Sequence, residues 1–148
     1  MDSLSIATRC LTLISDIART SFLIASFVRD CRAARHDLEL ISRELTSVEI
    51  VLSLLRHDIA TTNAQAIPET LRGQITSIIS NCSIVLQELD ELLQRHNGER
   101  MDQAACWATI GNRDAARLRG TLEAHKAALN IALNLLTLYV YLRCHYLN

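Results

Sequence analysis

Proline occurs once and glycine four times in the 148 residues. That is too few breakers for a strand-rich or loop-rich fold, and no stretch alternates polar and apolar residues with the two-residue period of a strand. Lysine is nearly absent: Lys126 stands alone among fifteen basic residues, and the rest are arginine. The formal net charge is −1 and the pI near 6.5, so the basic footprint that nucleic-acid binding requires is missing. Cysteines number five, but Cys10, Cys31, Cys82, Cys106 and Cys144 are widely spaced, odd in number and without a Cys-x-x-Cys pair. They read as buried thiols of a reducing compartment rather than as a disulfide framework or a zinc site. A basic n-region of a secretory signal is lacking as well. No run reaches the roughly 18 unbroken apolar residues of a spanning helix; the nearest, Ala127 to Leu142, is interrupted by Asn130 and Asn134. The chain is expected to be soluble and cytoplasmic.

What is present is apolar. Hydrophobic residues make up 49% of the chain against 21% charged, and the mean hydropathy is +0.15. The length suits one domain over residues 1–148, burying roughly 70% of the surface its unfolded chain exposes. The surplus of apolar residues leaves material for an interface beyond the core.

The punctuation places four long helices and a short one. The first runs from about Ser3 to Asp30, capped by Asp2. Its polar residues Ser5, Arg9, Thr12, Asp16 and Arg19 form one narrow stripe, interrupted by Leu23 and resumed by Ser26 and Asp30. Leu4, Ile6, Leu11, Leu13, Ile14, Ile17, Phe22, Ile24, Phe27 and Val28 make the rest apolar, an arc wide enough to require more than one packing neighbour. The second helix, about Arg35 to Ile59, carries Leu38, Ile41, Leu45, Val48, Leu52, Leu55 and Ile59 in strict 3-4 alternation, the seam of a left-handed helix pair. A polar link ends in Pro68, tolerated at the first helical position. The third helix repeats the seam with Leu71, Ile75, Ile78, Cys82, Val85, Leu89 and Leu92 up to about His96, where Asn97-Gly98 is the expected stop. A short helix over about Asp102 to Ala108 holds Trp107 and is expected to end at Gly111 and Asn112. The last begins near Arg113 and carries Leu118, Leu122, Leu129, Leu133 and Leu136 as far as Tyr139, Tyr141 and Tyr146. Short links predict antiparallel packing of successive long helices, hence an all-α four-helix bundle with one small extra helix.

Catalytic patterns are missing. There is no Gly-rich phosphate loop, no His-Glu-x-x-His and no Gly-x-Ser-x-Gly. His36, His57, His96, His125 and His145 are scattered, and only His125 falls on an apolar face, where a satisfied or interfacial histidine is the expectation. Glu88, Asp90 and Glu91 read as solvated helix surface. No enzyme activity, metal or cofactor is expected. Two basic clusters remain: Arg29, Arg32 and Arg35 at the first helix junction, and Arg113, Arg117 and Arg119 at the start of the last helix. Either they are solvated residues at helix ends, or they dock anionic lipid head groups, each arginine near such a surface contributing ~1 kcal/mol.

Read in order, the phrases of the chain resemble a known family. Asp2-Ser3-Leu4-Ser5-Ile6-Ala7 is similar to the opening of the N-terminal domains of fungal STAND (NLR-like) proteins, the HeLo-like group. The block Phe27-Val28-Arg29, Arg32, Ala34-Arg35, Asp37-Leu38, Ile41-Ser42-Arg43-Glu44-Leu45 and Ser47 is similar too. So are Pro68-Glu69-Thr70-Leu71 and Leu122-Glu123-Ala124-His125-Lys126 with Ala128-Leu129. The likeness runs from Asp2 to about Leu136, leaving the tail 139–148 divergent. It implies a helical bundle ahead of a nucleotide-binding oligomerisation module, or on a smaller effector, that serves programmed cell death, heterokaryon incompatibility or innate immunity. Relatives assemble, reach the plasma membrane and permeabilise it through the N-terminal helix. The membrane or oligomer helix here would then be the apolar arc of Leu4, Ile6, Leu11, Leu13, Ile14, Ile17, Phe22, Ile24 and Phe27. Arg29, Arg32 and Arg35 would form the anionic-lipid patch. The implied partners are further copies, other HeLo-like domains and anionic membrane lipids. Relatives that permeabilise membranes often have glycine-rich first helices, whereas this one lacks glycine and holds Arg9, Asp16 and Arg19. Those charges are expensive in hydrocarbon and favour the alternative of a protein-binding adaptor that never touches lipid.

Overall fold

The computed structural model describes residues 3–62, 67–97 and 100–146. Helix α1 spans Ser3–Asp30, a 3-10 turn spans Arg32–Ala34, α2 spans Arg35–Thr61 and α3 spans Glu69–Arg95. Helix α4 spans Arg100–Cys106, a π-helical turn spans Trp107–Gly111, and α5 spans Asn112–Tyr146. The fold is all-α, as the periodicity predicts, and no strand occurs among the described residues. The expected Asp2 cap and the Gly98 stop lie outside them.

Each seam packs where its spacing places it. All seven α2 seam residues from Leu38 to Ile59 are buried, joined by Val51. On α3, Leu71, Ile75, Cys82, Val85, Leu89 and Leu92 are buried, but Ile78 is only partly covered and its neighbour Ile79 turns inward instead. Leu86 and Leu93 are buried too, because α3 meets two helices and needs a face wider than a single seam. Removing a side chain such as Leu45 or Leu89, neither of which keeps exposed surface, would destabilise the bundle by about 2–5 kcal/mol.

Helix α1 packs on α2 and α3, and α5 packs on the same two. Cross-helix bonds fix the directions. Arg19 of α1 meets Asp90 of α3, and Arg117 of α5 meets Glu88 of α3. Lys126 Nζ of α5 lies 2.7 Å from Glu44 Oε2 of α2, and Thr137 reaches Asp58. Thus α1 runs parallel to α3, α2 runs parallel to α5, and the two pairs oppose each other. Successive long helices are antiparallel, as expected, yet α2 and α3 stand at diagonal corners and so do not pair as a hairpin. Pro68 itself sits one residue before the first helical position, with extended ψ.

One local expectation changes. Gly111 and Asn112 do not end a helix: α4 continues through the π turn into α5 without a break. A π turn widens the backbone by one residue and re-aims the side chains around it. Here it turns Trp107 into the core, its ring centroid 5.5 Å from those of Phe27 and His96 and its Nε1–H donating to Asp37 Oδ2 at 2.9 Å. The polar stripe of α1 keeps Thr12, Arg19 and Asp30 exposed, and Arg19 Nη1 also donates to Asp90 Oδ2 of α3 at 3.0 Å.

Candidate functional site

The apolar arc of α1 resolves into two faces. Ile6, Leu13, Ile17, Ile24 and Phe27 are buried at 3-4 spacing together with Cys10, Thr20 and Cys31, and Ile14 packs partly against the same core. Leu4, Leu11 and Phe22 point the other way, with Leu4 73% and Phe22 72% exposed. They belong to a second register (Leu4, Thr8, Leu11, Ser15, Ala18, Phe22, Ala25, Arg29) on nearly the opposite side of the rod. Hydrophobicity counts alone cannot separate two apolar faces on one helix; burial assigns one 3-4 register to the core and the other to the outside.

That outer register ends at Arg29, where the predicted basic patch begins. Helix α1 stops at Asp30 because Cys31 leaves the helical region, with φ −126° and ψ 90°. Its N–H still donates to the Phe27 carbonyl, and Ala34 N–H donates to the Cys31 carbonyl. Buried Cys31 and Ala34 pin the turn inward, which leaves Arg29, Arg32 and Arg35 at three-residue intervals on its outer side. All three line one groove of about 690 Å³, floored by Ile24 and Val28 and closed by Glu39 and Ser42.

The three arginines are not equivalent. Arg35 Nε donates to Glu39 Oε1 at 2.9 Å, and this pairing holds the Glu39 carboxyl below its usual range. Arg29 and Arg32 make no ion pair among the described residues. Both also line a second pocket of about 320 Å³ beside Gln103. Gln103 is only 5% exposed, and its amide nitrogen finds no acceptor among the described residues. Two guanidiniums without an ion pair among the described residues thus stand beside the Asp30 carboxylate and a buried unsatisfied donor, a donor-rich corner whose chemistry suits an acceptor-rich group. The second basic cluster does not gather in this way: Arg117 pairs with Glu88 of α3, Arg119 lies 3.9 Å from Glu123 of its own helix, and positions two apart on a helix point to opposite flanks.

Two helices are long and apolar enough to cross a membrane by length and mean hydropathy: Leu4–Asp30 and the continuous Gln103–Tyr146, whose most apolar windows are 28% and 17% buried. The criterion of an unbroken apolar run had excluded both. On α5 the expected seam residues Leu118, Leu122, Leu129 and Leu136 are buried and Leu133 packs against them, whereas Ile131, Leu135, Leu138, Tyr141 and Leu142 on the outer side of its second half are exposed. Among the described residues no three His, Cys, Asp or Glu side chains gather to hold a metal ion.

A family model described as pigment biosynthesis cluster protein PigL N-terminal matches residues 1–144. No curated protein and no solved structure matches the chain.

Proposed function

The chain belongs to the pigment biosynthesis cluster protein PigL N-terminal family, and on that footing we propose that it is a non-enzymatic signalling domain which docks on anionic membrane surfaces through α1 and self-associates there. The observation that carries this reading is the outer register of α1. Leu4, Leu11 and Phe22 form an exposed apolar line leading into Arg29, next to Arg32. An apolar stripe flanked by arginines is the pattern of a helix lying in the head-group boundary. The stripe is available with the bundle closed, so first contact does not require α1 to leave the core.

Kinship with the HeLo-like domains of fungal STAND proteins is part of the same proposal. Its support is the order of the phrases from Asp2-Ser3-Leu4-Ser5-Ile6-Ala7 through the Arg29 to Ser47 block. With it comes the proposed role as a cell-death or immune effector, cytoplasmic at rest and at the plasma membrane when active. Permeabilisation would need α1 to exchange the shelter of Ile6, Leu13, Ile17 and Ile24 for lipid.

The test is dye release and co-sedimentation with vesicles of zwitterionic lipid, with and without a phosphatidylserine-type anionic lipid. Binding should require the anionic lipid and weaken on Arg29→Glu with Arg32→Glu or on Leu11→Gln with Phe22→Gln, whereas Arg35→Ala should matter less because Glu39 already occupies that guanidinium. Charge reversal without effect on binding would remove the lipid reading. The adaptor alternative, favoured by Arg9, Asp16 and Arg19 on α1, would then stand.

A further inference from the structure

Among the described residues no element covers the outer face of the second half of α5. From Ala127 to Leu142 the chain carries no charged side chain, about 24 Å of helix at 1.5 Å per residue. Ala128, Ile131, Leu135, Leu138 and Leu142 repeat there at 3-4 spacing, the seam that a second helix fills. This register is separate from the buried one of Leu122, Leu129 and Leu136. Ile131, Leu135, Leu138, Tyr141, Leu142 and Tyr146 are each between 44% and 78% exposed.

We propose that this face is the self-association surface and that its occupant is α5 of a second copy, packed antiparallel about a two-fold axis near Leu135. The proposal deepens the self-association in the reading above by giving it a surface distinct from α1. The first argument is the taper of the face. Its N-terminal end is small, with Gly120, Ala124 and Ala128, and its C-terminal end is large, with Leu138, Tyr141, Leu142 and Tyr146. Beside the small end, Gly73 and Ser77 of α3 face Ala128 and Ala132 across a groove of about 560 Å³. An antiparallel pair sets Leu142 of one chain over Ala128 and this groove of the other, twice by symmetry. A parallel pair would set bulk on bulk at one end and leave both grooves empty.

Area is the second argument. With aromatic and branched side chains exposing roughly 200 Å² each when free, the six residues offer roughly 700 Å² per chain, close to the ~800 Å² per partner of a standard stable interface. The third is the polar border. A helix lying on lipid keeps lysine or arginine along its flanks, whereas along this face the neighbouring polar side chains are Asn130 and Asn134, uncharged groups suited to a helix–helix rim, with Lys126 and Arg143 only beyond its two ends.

Equilibrium sedimentation of the full chain without lipid tests the proposal. The expected mass is twice 16.6 kDa. Leu135→Arg, which puts like charges across the axis at a position 47% exposed, should weaken the dimer on the order of a hundredfold or more while the helical circular dichroism and melting temperature of the monomer persist. In a background of Cys106→Ser and Cys144→Ser, chains with Ile131→Cys should cross-link to chains with Leu138→Cys and poorly to themselves. A monomer at all concentrations, or Ile131→Cys cross-linking mainly to itself, overturns the proposal. So does a monomer whose α5 becomes protected only on vesicles, since the face then belongs to lipid. Because the mass is read without lipid, the two readings fail separately: a dimer that ignores vesicles removes only the membrane docking, and a monomer that binds them removes only this surface.

Discussion

The Thr20 hydroxyl donates to Asp90 Oδ1 at 3.1 Å from a side chain with no exposed surface. The other oxygen of the same carboxylate accepts from Arg19 at 3.0 Å, so two consecutive residues of α1 hold one residue of α3. Thr20 interrupts an otherwise apolar seam, and a buried hydroxyl is tolerated only where it finds a partner. Asp90 is that partner, which makes it a latch between the helix proposed to meet membranes and the body of the bundle.

Asp90→Ala should therefore destabilise the fold by about 1–3 kcal/mol, because it strands the Thr20 hydroxyl. Arg19→Ala should cost under about 1 kcal/mol, since its guanidinium is largely solvated. Urea melts give both values, and hydrogen exchange localises the effect. Faster exchange should concentrate in α1 around Thr20 and leave the centre of α2 protected. Uniform acceleration across the bundle would mean that Asp90 is no latch.

Gly111 and Gly120 separate two roles of glycine in a helix. A Cβ on Gly111 would lie 2.5 Å from Trp107 Cε3 and 2.8 Å from Cδ2, and the indole is buried among Phe27, His96 and Asp37. Gly111→Ala should thus destabilise by about 1–3 kcal/mol, despite the better helix propensity of alanine. A Cβ on Gly120 meets nothing within 4 Å, so Gly120→Ala should stabilise by about 0.5–1 kcal/mol. Denaturation followed by emission of the single tryptophan measures both; equal effects of the two substitutions would contradict this geometry.

Most of the fold was legible because its signal is periodic. The α2 seam is correct at every position, and the limits of α1 are correct because Asp30 and the Arg32–Ala34 turn coincide with a pause in periodicity. Three features were not legible, each for a physical reason. The π turn leaves no local mark: Gly111 and Asn112 look like a stop, and only the packing of Trp107 makes Gly111 a helix residue. The diagonal placement of α2 and α3 depends on which seams face each other, and periodicity does not state that. The outward face of α1 was read as part of one wide apolar arc and that of α5 was given no role, because hydrophobicity does not distinguish burial from an interface. Of the candidate site, the grouping of Arg29, Arg32 and Arg35 followed from their spacing, but the capture of Arg35 by Glu39 and the orphaned amide of Gln103 are tertiary facts.

The five thiols should divide by burial. Burial pushes the Cys10 thiol up to about 11, only partly offset by Arg56, and the Cys82 thiol up to about 12. Neither should form thiolate at about pH 8, and neither is accessible. Cys106 and Cys144 are exposed and should react with an aromatic disulfide reagent in a fast phase of two equivalents. Cys10, Cys31 and Cys82, all buried, should follow only at the rate of unfolding, with mass spectrometry identifying the sites. Labelling of Cys10 or Cys82 in the fast phase would show that the α1 and α3 seams open readily.

His96 makes the stability of the bundle depend on pH in a known direction. Its ring stands edge-on to Trp107 at 5.5 Å. Burial, reinforced by Arg95 and opposed by Asp114, holds its pKa below the ordinary 6.5. The folded state therefore binds less proton than the unfolded state once the pH drops below about 6.5, the unfolded value. The contribution of His96 is complete above that pH, declines as the medium is acidified, and is lost once the pH has fallen through the lower folded value. Melting temperatures recorded across this window should fall on acidification, and His96→Asn should flatten that segment of the profile. Trp107 supplies a second reading, because an imidazolium beside an excited indole accepts an electron and quenches it. Emission of the native protein should drop with a midpoint below 6.5 and stay level in His96→Asn. A profile and emission unchanged by the substitution would place the pH sensitivity of the fold elsewhere.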